Sequence, residues 1–301
     1  MSPAVGSVTP EAAVDPRPWA WTLGRVILTM VTALVIAIAI AFLMLPIVAL
    51  ITYQPVHELI RNIGSRVAVD AITISLKTNV IAFVLMISFG TPCAYVLARL
   101  RFPGRSLVIT LVELPLVMPP AVAGLGLLVA FGTLGLLGHT LSTLGIELAF
   151  TQAAVVMAIV FVASPFYLRG AIAAFEAVDQ TLIDVAGTLG AGRLRRMLRV
   201  AVPLAGGGLG AAAAVAFARG IGEFGATILF AGSLQGRTQT LALAVYGLFD
   251  ANLNQAVAIG VLLIVVSAAI LLTSKMLARS WQTSSKLTSL SLGGRSIFAQ
   301  R

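Results

Sequence analysis

Residues 26–56 read VILTMVTALVIAIAIAFLMLPIVALITYQPV, and between Arg25 and His57 there is no Asp, Glu, Lys or Arg. About 20 apolar residues in a helix cross a hydrocarbon layer about 30 Å thick. The stretch is long enough to span with tilt, and too long for the apolar core of a secretory leader. Similar stretches recur from Ala71 to Ala98, with Lys77 near its start, and from Leu107 to Gly132, broken by Pro115, Pro119 and Pro120. Others run from Phe150 to Leu168, from Pro203 to Ala231 with Arg219 and Glu223 inside, and from Ala256 to Leu277. The whole composition agrees: 59% hydrophobic, 10% charged and a mean hydropathy of +1.02. A water-soluble domain is about a quarter charged. The sequence therefore predicts an all-α membrane protein with about six transmembrane helices. It divides into a cytoplasmic N-terminal segment (1–24), a transmembrane domain (25–279) and a disordered tail (280–301).

Charge placement orients these spans, because Lys and Arg collect on the cytoplasmic side. Arg17 and Arg25, then Arg99, Arg101 and Arg105, then Arg193, Arg195, Arg196 and Arg199, then Lys275, Arg279, Lys286, Arg295 and Arg301 fall on one side. The other side holds Arg61, Arg66 and Arg237. Both termini are thus expected in the cytoplasm, and the net charge of +9 follows from topology rather than from nucleic-acid binding. The basic tail either stays solvated or touches anionic lipid. Cys93 is the single cysteine, and His57 and His139 are the two histidines, so neither a disulfide framework nor a Cys- or His-rich metal cluster is expected. No cofactor is expected. No fixed-period repeat is visible, whereas many secondary transporters are built from two related halves. A pathway formed by dimerisation is the expectation.

The longest polar segment on the cytoplasmic side is FEAVDQTLIDVAGTLGAGRLRRMLRVAVPLAGG, Phe175 to Gly207. Asp179 and Asp184 lie near the start of a helix-like run, where the dipole favours acids. Gly190 and Gly192 permit a sharp turn. Leu194, Met197 and Leu198 then form an apolar stripe beside four arginines, and Pro203 marks entry into the next span. Two short helices joined by a glycine turn make either a protruding cytoplasmic knob or an amphipathic hairpin lying in the lipid interface.

The same segment resembles the loop of ATP-binding-cassette importer permeases, whose pattern is E-A-A, three residues, G, nine residues, I-x-L-P. Here Asp184, Val185 and Ala186 precede Gly190, and Val200-Ala201-Val202-Pro203 closes the pattern with every spacing kept. The resemblance implies a loop (175–203) that docks a separate ATPase through Asp184, Ala186, Gly190, Arg193, Arg195, Arg196, Val200 and Pro203. Asp replaces Glu at 184, which leaves that acid's partner open. The arginines would complement an acidic rim on the ATPase.

Arg219 and Glu223 lie in ARGIGEFGATILFAG, residues 218–232, and intramembrane charge marks a functional candidate. Four residues apart on one helix, they share a face and can pair. Either the pair locks helices together, or the segment lines the pathway or its gate with Gly225, Thr227, Pro119 and Pro120. The element G-E-F-G-A and the runs Gly236 to Leu241 and Ala244-Val245-Tyr246 resemble molybdate and sulfate permeases, closest to the molybdate branch. Leu114 to Gly124 fits the third span of that subfamily. Over about residues 25–280 the resemblance implies the type I importer permease fold and a tetrahedral oxyanion cargo: molybdate or tungstate first, sulfate or thiosulfate as the alternative. Lys77, Arg219 and Arg237 are candidate counter-charges for a dianion. Glu113, near the cytoplasmic start of the third span, is expected to pair with Arg99, Arg101 or Arg105.

No G-x-x-x-x-G-K-[ST] phosphate loop occurs, so the chain is expected to be a transport subunit and not an enzyme, with ATP hydrolysed by a partner. Its implied partners are a cytoplasmic ATP-binding-cassette ATPase, an extracytoplasmic solute-binding protein, a second permease copy and the lipid of a bacterial plasma (inner) membrane. An ion-coupled transporter would need its acids grouped as an ion site, whereas Glu113 and Glu223 fall in different halves. A membrane-embedded enzyme would need a catalytic constellation at membrane depth, and none is evident.

Overall fold

The computed structural model describes residues 18–293, with side chains from 24 to 273. Helix α1 spans Pro18–Thr52, and an 18-residue window within Gly24–Thr52 has a mean hydropathy of 3.1. The chain divides into two compact units after Thr52, α1 belonging to the first. The second unit begins with α2 (Val56–Ile63) and α3 (Arg66–Arg99), followed by α4 (Arg105–Val117), α5 (Pro120–Phe131) and α6 (Gly138–Thr143). Next come α7 (Gln152–Glu176), α8 (Gln180–Thr188), α9 (Arg193–Arg196) and a π-turn over Met197–Ala201. The unit closes with α10 (Val202–Ile221), α11 (Gly225–Phe230), α12 (Leu241–Leu248) and α13 (Leu253–Gly293). Among the described residues there is no strand.

Among the described residues, five uninterrupted helices are long and apolar enough to cross a membrane, and the α4/α5 pair makes a sixth if counted as one broken span. The break is sharper than a proline kink: the two halves meet at 112°. Pro119 and Pro120 explain it, because neither donates a backbone N–H and Pro120 sits at a helix start, where its fixed φ is accommodated. The fifth span also departs from a continuous helix through Ala231. It stops at Ile221, and Gly222, Glu223 and Phe224 separate it from the short α11. Two glycines in three residues weaken the helix there, and the Glu223 side chain starts a new one, as described below.

Helix α7 is the hub, packed against both α3 and α10, which also touch each other, while α10 meets α13 as well. Lipid gives apolar side chains no reason to prefer one another, so close approach through small residues drives such packing. The α7/α10 contact is built this way. A Cβ on Gly170 would stand 2.6 Å from the Ala212 Cβ, and one on Gly208 would stand 2.5 Å from the Ala174 Cβ. Gly170 and Ala174 on α7 thus interlock with Ala212 and Gly208 on α10, in antiparallel register. One turn earlier on the hub, Gly90 of α3 admits the Tyr167 ring, and Tyr167 Oη and Thr91 Oγ1 share a hydrogen bond of 2.6 Å. Another polar tie fixes the start of α12 on α3: the Ser75 hydroxyl accepts the Leu241 N–H at 2.8 Å.

At the C-terminus, α13 remains helical to Gly293, where the sequence suggested disorder from 280. From Val261 to Leu292 there is neither Gly nor Pro, so nothing in the backbone stops the helix. The rest of that expected tail (294–301) and most of the expected N-terminal segment (1–17) lie outside the described residues.

Candidate functional site

The segment 175–203 is built on the buried ends of the hub. Phe175, fully buried in the last turn of α7, packs edge-on against Tyr95 of α3 with centroids 5.3 Å apart. Val178, Ile183 and Ala201 continue the same core cluster, and Met197 is buried as well. Asp179 starts α8, its carboxylate accepting the Thr181 N–H at 2.9 Å. That backbone bond, with help from the Thr181 side chain and nearby Arg99, holds the Asp179 carboxyl below its ordinary range. Helix α8 ends at Gly190, whose φ of +82° is left-handed and whose N–H bonds the Gly187 carbonyl. Space is open around Gly190, so the turn's conformation, not crowding, demands glycine there.

With Ile183 turned inward, α8 presents Leu182, Val185 and Leu189 to the surface, and α9 adds Leu194. Leu189, at 82% exposure, is nearly bare. Arg193 and Arg195 flank this patch, but Arg196 does not: it is half-buried, its Nη1 3.0 Å from where a Gly187 Cβ would be. Arg196 therefore braces α9 on α8 rather than joining an outer rim. The second short helix is not free-standing either, since Arg193 to Ile221 forms one helical run. Its π-turn precedes Pro203, whose missing N–H and bulky ring disturb the regular ladder one turn back. Val200 lies half-buried against the core cluster. Asp184 is exposed and bonds within its own helix, accepting the Gln180 amide at 2.9 Å.

The second candidate group surrounds the two helix breaks, and the structure brings them together. Helix α11 packs on α5. A Cβ on Gly225 would stand 2.7 Å from the Pro120 Cβ, and one on Gly124 would stand 2.5 Å from the Ala226 carbonyl oxygen. Glu223 is 2% exposed. Its Oε1 accepts the Ala226 N–H at 2.8 Å, and its Oε2 lies 2.7 Å from Arg219 Nη1, off the line of a straight hydrogen bond. The expected pairing of Arg219 with Glu223 thus holds although the helix between them has ended. Thr227 is fully buried, and its hydroxyl has no hydrogen-bond partner among the described residues. Arg219, Glu223, Gly225 and Pro120 therefore share one junction, with Pro119 at the preceding turn and Thr227 one turn on.

Other expected charges fall elsewhere. Lys77 is exposed on α3, and Arg237 lines a cavity of about 570 Å³ with Glu147 and Phe150. Glu113 lies 3.8 Å from Arg169 rather than beside Arg99, Arg101 or Arg105, because Arg105 is taken by Glu176 at 2.7 Å and Arg99 by backbone carbonyls. Those arginine contacts link residues more than seventy positions apart. Within the sequence, Arg99 and Arg105 signalled orientation and a pairing with Glu113, not these contacts. Among the described residues, no group of three or more His, Cys, Asp or Glu is placed to hold a metal ion.

Comparison with known proteins matches residues 90–282 to the family model described as "binding-protein-dependent transport system inner membrane component". The molybdenum transport system permease protein ModB of Mycobacterium tuberculosis is 40% identical over 236 residues, covering 77% of this chain and 88% of that one. The probable sulfate transport system permease protein cysT of Nephroselmis olivacea is 31% identical over 258 residues, covering 84% and 87%. Among solved structures, a bacterial alginate ABC transporter in complex with its pentasaccharide-bound periplasmic protein has a similar fold. Its TM-score is 0.65 at 17% identity, with 88% of this chain and 98% of that chain covered.

Proposed function

This chain belongs to the family of binding-protein-dependent transport system inner-membrane components, and from that we propose that it is the permease subunit of an ATP-driven oxyanion importer. Its cargo in this reading is molybdate, or tungstate with the same shape and charge. The chain is a multi-pass membrane transport subunit and not an enzyme. One observation carries the coupling role. Helix α8, capped by Asp179 and ended by Gly190, bares Leu182, Val185 and Leu189 at the end of the hub helices. A contiguous exposed apolar patch rimmed by charge marks a protein-docking surface. Its occupant is the cytoplasmic ATPase, with Arg193 and Arg195 facing that subunit's acidic rim.

The basic ends then lie in the cytoplasm, both termini among them, and the loops around Arg237 face outward to a solute-binding protein. A second copy of the chain completes the pathway. ATP binding draws the two knobs together, and the hub helices rock between inward-open and outward-open forms. The junction of α5 and α11 is where such rocking can open or close a passage, since half-helices meet there instead of one rigid rod. The carboxylate of Glu223 satisfies the start of α11, so an anion is not held at that helix end. Weak contact suits a pathway, while selection falls to the binding protein.

Cells with and without the gene, supplied with trace molybdate and with sulfate or tungstate as competitor, test the cargo. Gene-dependent uptake that tungstate blocks and excess sulfate spares is the expected result. Inhibition by modest sulfate would instead assign the sulfate branch, to which the 31% identical relative belongs by name. Uptake that persists without ATP but follows an ion gradient would make the chain a secondary transporter.

A further inference from the structure

Arg99 is the last residue of α3, yet its bonds are made to another part of the chain. Nη2 donates to the carbonyl of Phe175, in the last turn of α7, and to that of Val178 at 2.7 Å. Nη1 donates to Gln180 Oε1 at 2.8 Å, in the first turn of α8. Gln180 passes the link on, since its Nε2 donates to Asp184 Oδ1 at 2.9 Å. A planar guanidinium with five fixed donors can hold several acceptors in one geometry, and an ammonium cannot. The last carbonyls of a helix lack partners of their own, so a cation there is doubly suited.

Arg105 repeats the device beside it. At the start of α4, its Nε donates to the Leu97 carbonyl at 2.6 Å and its Nη2 to Glu176 Oε1 at 2.7 Å. Two arginines therefore gather the ends of α3, α4, α7 and α8. The junction also has an apolar floor, in which Leu97 of α3 and Ile183 of α8 belong to one buried cluster with Phe175 and Val178. By contrast, the outer face of α8 is bare. The helix offered to the ATPase is thus tied to α3 by directional bonds at its start and by packing beneath.

We infer that Arg99 is a positioning residue for energy coupling: it makes α8 move with the ends of α3 and α7 as one body, so that displacement of the knob reaches α3. The inference rests on the docking reading of the knob, since it says where the ATPase's push goes after docking. Without Arg99, α8 would pivot on its apolar floor, and closure of the ATPase would be spent in the loop. Its signature is uncoupling rather than loss of assembly.

The test uses the complete transporter, permease with ATPase and solute-binding protein, in proteoliposomes. It measures molybdate taken up per ATP hydrolysed and the dependence of hydrolysis on molybdate-loaded binding protein. Arg99→Ala should co-purify with the ATPase in normal amount and hydrolyse ATP, but lower uptake per ATP at least tenfold. Arg99→Lys, which keeps the charge without the fork, should recover only a minor part. Gln180→Leu, at an exposed position where folding is not at stake, should lower the same ratio several-fold. A ratio within twofold of wild type in Arg99→Ala or in Gln180→Leu overturns the inference. The docking reading is scored separately by Asp184→Arg and Gly190→Arg. If those variants keep full coupling, docking at this knob fails. If they lose it while Arg99→Ala keeps it, only the role of Arg99 falls.

Discussion

Glu223 reaches back 2.7 Å to Arg219 across the end of α10, while its other oxygen caps the first turn of α11 at the Ala226 N–H. One carboxylate therefore ends one helix and begins the next, at membrane depth, with its side chain 1% exposed against 28% for that of Arg219. Removing one member of a buried pair leaves the other charge without compensation, whereas removing both can be nearly neutral. Glu223→Ala should destabilise the permease by about 2–4 kcal/mol, the lower end reflecting the partial exposure of Arg219. Glu223→Gln keeps an acceptor for Ala226 and should cost less. Unfolding in a denaturing-detergent titration measures both, and a double-mutant cycle with Arg219→Met should recover part of the Glu223→Ala loss. A cycle with no coupling energy would make the contact incidental.

The turn at Gly190 separates backbone need from surface need. Its φ of +82° disfavours any residue with a Cβ, by about 1 kcal/mol for Ala and more for a branched side chain, while Asn visits this region readily. No atom lies within 4 Å of the Cβ position. Gly190→Asn should thus keep most ATP-coupled uptake, and Gly190→Val should lose most of it with membrane insertion unchanged. If Asn is as damaging as Val, the ATPase surface is reading the bare glycine, and the backbone is not the reason for it.

Acid should reach the knob only late. The folded carboxyl of Asp179 titrates below its ordinary value, chiefly because of the Thr181 N–H. A group depressed in this way contributes fully above its unfolded value, and the contribution is lost as pH falls through the lower folded one. Coupled uptake should therefore be flat from about pH 8 down to about pH 5, as far as this cap is concerned. Asp179→Asn keeps a good capping oxygen and should match wild type in that window, whereas Asp179→Ala should lower coupling at every pH. A wild-type decline near neutral pH that Asp179→Asn removes would contradict this.

Span number, the glycine turn and the pairing of residues 219 and 223 were legible because each depends on local sequence: apolar length, one left-handed position, one i, i+4 spacing. The breaks were legible only in part. Pro119 and Pro120 announced a kink, but a 112° reversal depends on α5 finding a bed against α11, which the chain supplies about a hundred residues later. The end of α10 at Ile221 was hidden because GIGEFG mixes weak helix formers with a capping acid, and either a bent helix or a stop satisfies that pattern. Glu113 was assigned to the arginines nearest in sequence and belongs to Arg169, since helix packing sets its neighbours. Arg99 illustrates the same limit: its acceptors are mostly backbone carbonyls, and carbonyls leave no trace in a sequence.

The α5/α11 contact gives the sharpest control, because Gly124 and Gly126 lie two residues apart on one helix in opposite surroundings. A Cβ at 124 would meet the Ala226 carbonyl oxygen at 2.5 Å and its Cα at 2.7 Å, both backbone atoms that cannot rotate away. At 126 nothing lies within 4 Å. Gly124→Ala must push α5 off α11 by several tenths of an ångström, and overpacking of this kind costs about 1–3 kcal/mol. Gly126→Ala should be neutral or slightly stabilising, since alanine is the better helix former. If the junction works as the pathway's moving part, Gly124→Ala should slow uptake severely while the ATPase still binds at the distant knob, and Gly126→Ala should transport normally. Equal transport by the two variants, with the stability difference intact, would leave the contact as packing and send the search for the moving part to the exposed face of α3.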